Sequence, residues 1–293
     1  MPFPRLFTAM ITPYKENLEI NYDAAAKLAE HLTENGSDGI VVCGTTGEAP
    51  VLSIEEKLGL FTVVKKTVGH KAEVWAGTGT NNTDLTIELS KKAQQCGVNG
   101  LLLVTPYYNK PSQNGLYEHF KKIADSVSIP VMLYNVPGRT SCNLLPQTVK
   151  RLSAIENIAA VKEASGDMDQ VSLLASLLPE RIAIYSGDDS MTLPMLAIGA
   201  QGVVSIASHL AGREILQMMT SFFNGDVSGA RKIHNKLLPI FKGLFITSNP
   251  VPLKEAMNML GYEVGGLRLP LVTASEEEKM LIKKMLLDVG LLN

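Results

Sequence analysis

Apolar residues along this chain fall into two alternating kinds of run. Short runs rich in β-branched residues predict strands, and longer runs with apolar residues every three or four positions predict helices. The first pair is a strand over 6–11 and a helix over 21–34. Strands follow over 39–43, 74–77, 101–105, 130–134, 158–162, 182–186 and 202–206. The helices between and after them span 54–68, 83–96, 115–126, 146–153, 169–178, 191–198 and 212–223.

Strict alternation implies parallel strands joined by helical crossovers. Eight such units predict an α/β fold, a (β/α)8 TIM barrel over 1–224. A doubly wound open sheet is the rival. Two features favour the barrel: the units are uniform, and no G-x-G-x-x-G fingerprint follows the first strand. Gly77-Thr78-Gly79 lacks the third glycine. Beyond residue 224 the strand pattern stops. Apolar spacing predicts helices over 228–245, 252–260 and 276–287, a C-terminal helical extension over 225–293 packed on the barrel.

Composition narrows the class of protein. With 45% hydrophobic and 19% charged residues, the chain has material for a large core and is not a disordered segment. Lys+Arg number 27 against Asp+Glu 29, a balance that gives no nucleic acid an electrostatic foothold. Cys43, Cys96 and Cys142 are odd in number and widely spaced, which suggests reduced thiols in a cytoplasmic protein. No signal peptide or membrane-spanning run is evident. His31, His70, His119, His209 and His234 are scattered without ligand spacing, and surface or packing roles are expected for them.

Barrel enzymes carry their chemistry at the C-terminal ends of the strands. Lys162 ends an apolar run, Ile158-Ala159-Ala160-Val161. Inside a barrel its cation would be costly, burial would lower its pKa, and a neutral amine can attack a carbonyl. The alternative is a lysine just past the strand, paired with Glu163 or Asp167. Gly44-Thr45-Thr46-Gly47 offers hydroxyls and backbone N–H groups suited to a small carboxylate, or is an ordinary turn. Tyr108 and Tyr134 are phenols that could move protons or simply pack. Arg139, in a Pro-Gly turn, could clamp a carboxylate or sit in solvent. Asp188-Asp189 reads as a helix cap rather than a divalent-ion site, and Cys43 as core filler.

Four strings occur in order at strand ends: Gly-Thr-Thr-Gly-Glu from 44, Thr-Pro-Tyr-Tyr-Asn from 105, Tyr-Asn-Val-Pro-Gly-Arg-Thr from 134 and Lys-Glu-Ala-Ser-Gly-Asp from 162. In these strings, and over essentially its whole length, the chain resembles the dihydrodipicolinate synthase family. That family lies within the pyruvate-dependent class I aldolases, which include N-acetylneuraminate lyase. The resemblance implies a carbon–oxygen lyase of lysine and diaminopimelate biosynthesis, condensing pyruvate with L-aspartate 4-semialdehyde through a lysine Schiff base, with no metal or organic cofactor. Lys162 would form the imine and Tyr134 would be the general acid/base. Thr45 and Tyr108 would complete a proton relay, Tyr108 reaching into a neighbouring subunit of a homotetramer or tight dimer. Thr46 would bind the pyruvate carboxylate and Arg139 the carboxylate of the aldehyde. Gly187 and Val204 match positions that line the pyruvate pocket, Val204 excluding water.

Arg139 separates the synthase reading from sialic acid lyases, which lack it. Lysine-sensitive members hold the inhibitor with histidine-like and acidic side chains where this chain has Ile54, Lys57 and Leu85, although Asn81 and Tyr107 remain. Weak or absent lysine inhibition is therefore expected. The rival functions are another pyruvate aldolase, a keto-deoxy sugar-acid dehydratase, or a barrel that only binds a keto acid.

Overall fold

The computed structural model describes residues 4–292. Eight strands close into one parallel barrel in sequence order. They are β1 (Leu6–Ala9), β2 (Gly39–Val42), β3 (Glu73–Gly77), β4 (Gly100–Val104), β5 (Val131–Asn135), β6 (Ile158–Glu163), β7 (Ala183–Ser186) and β8 (Gly202–Ser205). Closure is made by β8 on β1, where Leu6 pairs with Val203 and Phe7 with Val204. The open-sheet alternative is thereby excluded.

The crossovers are α1 (Tyr22–Glu34), α2 (Ile54–Val68), α3 (Thr83–Gln95) and α4 (Gln113–Ala124), then a single turn α5 (Pro137–Thr140), followed by α6 (Pro146–Leu152), α7 (Met168–Leu177), α8 (Thr192–Leu196) and α9 (Ser208–Phe223). Beyond the barrel lie α10 (Val227–Gly243), α11 (Val251–Met259) and α12 (Glu276–Asp288). None of these helices is long and apolar enough to cross a membrane.

Local chemistry sets most boundaries. Ser53 accepts from the Glu56 N–H while the Glu56 carboxylate accepts from the Ser53 N–H, a reciprocal cap that starts α2 where the pattern places it. Ser112 caps α4 through the Gly115 N–H, so that helix begins two residues before the expected 115. The helix expected over 191–198 is shorter: a 3-10 turn over Asp189–Met191 leads into α8. α9 begins four residues before 212 and is kinked at Ala211 (φ −142°, ψ 38°). There Gly212 packs so close to the first crossover that a Cβ would stand 2.3 Å from the Asn35 carbonyl oxygen.

The barrel interior is filled rather than open. Phe7 meets both Trp75 and Tyr185 edge to face, with centroids 5.5 and 5.4 Å apart. These rings come from β1, β3 and β7, which are not neighbours, so they meet across the lumen. Glycine makes the space: a Cβ on Gly39 would lie 2.2 Å from the Phe7 ring.

Candidate active site

Tyr134 and Lys162 are paired in register on β5 and β6, so both side chains leave the same face of the sheet, into the barrel. Lys162 is 6% exposed and its Nζ stands 4.1 Å from the centroid of the Tyr134 ring. Burial lowers its pKa to about 7; the Asp189 carboxylate opposes that shift and the Arg139 cation adds to it. Burial pushes the Tyr134 phenol up to about 12, against the pull of Arg139 and a hydrogen bond with Thr45. At neutral pH, then, a substantial fraction of the amine is unprotonated while the phenol beside it keeps its proton.

The alternative pairing of Lys162 with Glu163 or Asp167 does not occur. Glu163 alternates to the opposite face of β6. There it accepts from Asn135 Nδ2 (3.2 and 3.0 Å), Gln170 Nε2 (3.1 Å) and the Ser165 N–H (2.6 Å). Asp167 caps α7 through the Asp169 and Gln170 N–H groups. Gly187 leaves room for the lysine stem, since a Cβ there would come within 3.0 Å of Lys162 Cε.

Lys162 opens on a cavity of about 130 Å3 also lined by Thr45, Thr46, Tyr134, Arg139 and Gly187. The Gly44–Gly47 turn is held by its own backbone. Its Gly47 and Glu48 N–H groups are spent on the Gly44 and Thr45 carbonyls, at 3.1 and 3.0 Å. The Thr45 and Thr46 N–H groups have no partner among the described residues. Two adjacent N–H groups without a partner, beside two hydroxyls, are suited to receiving a small anion. Thr46 is held from outside the barrel, where Asn249 Nδ2 donates to its Oγ1 at 2.9 Å. Two residues on, Glu48 (φ 56°) is buried against Lys254 of α11, Nζ to Oε1 2.7 Å, and accepts from the Arg268 N–H.

Val204 is buried on β8, but it is Ile206, two residues further along, that lines the lysine cavity with Ala9 and Phe245. Asp188 does cap the following turn, accepting from the Ser190 N–H at 2.8 Å. Asp189 does not. It lies inside, accepting from the Ser205 hydroxyl and from the Ile206 and Ala207 N–H groups at 3.1 and 3.2 Å, and so holds the loop that carries Ile206. Among the described residues no cluster of three or more His, Cys, Asp or Glu could hold a metal ion. His209 packs as expected, between the Ile11 N–H and the Ile206 carbonyl.

Tyr108 is not brought to this site within its own chain. It is 88% exposed, has a left-handed backbone (φ 74°) and lines neither this cavity nor the adjoining one of about 390 Å3. The loop around it is tied down, with Asn109 Nδ2 donating to the Asn81 carbonyl and Asn81 Nδ2 to the Tyr107 carbonyl. Strain of this kind, about 1–3 kcal/mol, persists where the surroundings demand it.

Asn249, Ile206 and Lys254 were not singled out from sequence, and Asp189 was read only as a cap. The dipeptide Asn249-Pro250 signals a turn and nothing about a barrel cavity.

A family model described as the dihydrodipicolinate synthetase family matches residues 2–288. The chain is 55% identical over 291 residues to the 4-hydroxy-tetrahydrodipicolinate synthase of Heliobacterium modesticaldum, covering 99% of this chain and 97% of that one. Its fold matches the dihydrodipicolinate synthase of Cyanidioschyzon merolae, solved with lysine bound, at a TM-score of 0.97 and 43% identity over 99% of both chains. A structure described as the first monomeric dihydrodipicolinate synthase variant matches at 0.96 and 39% identity, over 99% of this chain and 98% of that one. With a buried amine against a phenol at the mouth of a closed barrel, and these matches over nearly its full length, the chain belongs to the dihydrodipicolinate synthetase family.

Proposed function

We propose that this protein is a 4-hydroxy-tetrahydrodipicolinate synthase, condensing pyruvate with L-aspartate 4-semialdehyde in lysine and diaminopimelate biosynthesis. The observation that carries this is the Lys162 amine, shielded in a small cavity and stacked on the Tyr134 ring. Neutral Lys162 attacks the pyruvate ketone, and loss of water leaves an imine. The protonated imine is an electron sink, so the pyruvate methyl loses a proton and an enamine forms. The enamine carbon attacks the aldehyde. The amino group of the aldehyde substrate then closes on the imine carbon and releases Lys162. The imine itself supplies the electrophile, so the chemistry calls for no metal or organic cofactor.

Tyr134 is the proton donor and acceptor, with Thr45 beside it. The Thr45–Thr46 nest receives the pyruvate carboxylate. Arg139, lining both cavities, receives the carboxylate of the aldehyde. Gly187 accommodates the lysine. Purified protein mixed with both substrates should consume them together. No condensation, and no borohydride-trapped pyruvate adduct, would refute the assignment.

Tyr108 is the third relay member, supplied to a neighbouring chain in a homodimer or homotetramer. Its exposure and its strained, tied-down backbone support this reading. Tyr108→Phe should lower turnover by about 100-fold with an unchanged melting temperature, at the low end for loss of a proton-transfer group. Turnover equal to the parent would remove it from the relay. The chemistry and the three free cysteines suit a cytoplasmic enzyme.

Lysine should inhibit weakly or not at all. Lys57 and Leu85 line the wider cavity with Asn81 and Tyr107, and its only charged side chains among the described residues are the cations Lys57 and Arg139. An ammonium ligand meets like charge there and finds no carboxylate. Assays at millimolar lysine should retain most of the activity; strong inhibition would show that another group receives the ligand.

A further inference from the structure

Among the described residues lining the lysine cavity, Phe245 and Asn249 alone come from beyond the barrel. Asn249 is 6% exposed and immediately precedes Pro250 and α11. Its Nδ2 donates to Thr46 Oγ1 at 2.9 Å, and its Oδ1 is buried without a partner. A buried amide with an orphaned acceptor is a destabilising arrangement that an apolar side chain would avoid. What the amide secures in return is a single bond, to one hydroxyl of the anion nest.

We propose that Asn249 is a positioning residue for pyruvate, acting through Thr46. A hydroxyl can both accept and donate. With its oxygen engaged by the Asn249 amide, the Thr46 hydroxyl has its own proton free to turn towards the substrate carboxylate, alongside the Thr45 and Thr46 N–H groups. The same C-terminal segment grips the turn again at Glu48, through Lys254 and the Arg268 N–H. The barrel turn that receives the keto acid is thus oriented from α11 and its flanks, which explains why Asn249 must lie so close to that helix. The inference rests on the pyruvate-binding role given to Thr46 above.

The test compares steady-state kinetics of the full chain with its Asn249→Ala, Asn249→Asp and Thr46→Val variants and the Asn249→Ala/Thr46→Val double variant. Asn249→Ala should raise the KM for pyruvate about tenfold, the upper end for a lost hydrogen bond between neutral groups. The KM for the aldehyde should stay within about twofold, since Arg139 and its turn are untouched. Asn249→Asp, nearly isosteric, should raise the pyruvate KM further: its carboxylate would draw the Thr46 proton to itself and repel the substrate anion. The double variant should be no worse than Thr46→Val alone, because one residue acts through the other. A pyruvate KM within twofold of the parent in Asn249→Asp, additive effects in the double variant, or equal changes for both substrates would overturn the inference. If Asn249→Ala does not fold, Asn249→Asp decides. Borohydride trapping of pyruvate on the unmodified protein separates the two levels: no adduct there refutes the proposed function, whereas an adduct with unaffected Asn249 variants refutes this inference alone.

Discussion

Lys162→Ala should abolish the borohydride-stable pyruvate adduct and lower condensation on the order of 10³-fold. The residual rate would come from binding and orientation that survive without the nucleophile. The adduct is the sharper readout, because intact mass reports the bond itself. If the variant still gains the mass of reduced pyruvate, another amine is the nucleophile and the mechanism fails. In the parent, adduct formation should rise with pH through about 7 and then level off, since only the unprotonated amine attacks and burial lowers the Lys162 pKa to about 7. The same shift has a stability cost. A lysine whose folded pKa lies below its unfolded value binds fewer protons when folded, so stability rises with pH between about 7 and the unfolded value and carries its full penalty below 7. Lys162→Met, which has no amine to bury, should therefore be more stable than the parent at pH 7, by a few kcal/mol at most, and melt higher. A lower melting temperature would mean that the amine is stabilised in the fold rather than merely tolerated.

Tyr134→Phe should keep the fold and lower turnover by about 100-fold, within the range for loss of a positioned acid/base group. The ring that stacks under the lysine remains and the proton it carried does not. Pyruvate trapping should be slowed but still detectable, because Lys162 stays in place. A variant with parental turnover would mean that another group carries the proton. At neutral pH the phenol is protonated and would serve first as a donor, since burial holds its pKa at about 12 despite the nearby Arg139. Removing Arg139 would withdraw a cation that lowers both the Tyr134 and Lys162 values. Arg139 variants are therefore expected to shift both groups as well as to weaken binding of the second substrate.

Much of the architecture was legible because it is local. The α2 boundaries follow from apolar periodicity and a reciprocal cap within four residues. The strands follow from short β-branched runs between turn residues, and β6 carries its lysine at the position the pattern indicated. Three of the four strand-end motifs carry Thr45, Thr46, Tyr134, Arg139 and Lys162, and the structure has these around one cavity together with Gly187; the motif from 105 contributes nothing to it. The helix expected over 191–198 stops at Leu196, because the apolar Ala197 and Ile198 extend the spacing into the turn that follows.

Alternation along β6 dictates that Lys162 and Glu163 face opposite sides, but only barrel closure decides which side is the lumen and so which of the two lines the cavity. The same closure put Ile206 rather than Val204 on the lysine cavity, since the depth of a side chain depends on how the strands stagger around the ring. The bonds from Asn249 to Thr46 and from Lys254 to Glu48 join residues more than 200 positions apart. Periodicity and turn chemistry reach only a few residues along the chain. The sequence by itself therefore determined the order of strands and helices and the reactive groups at their ends; the tertiary structure decided which of those groups lost their water, and which distant residues hold them.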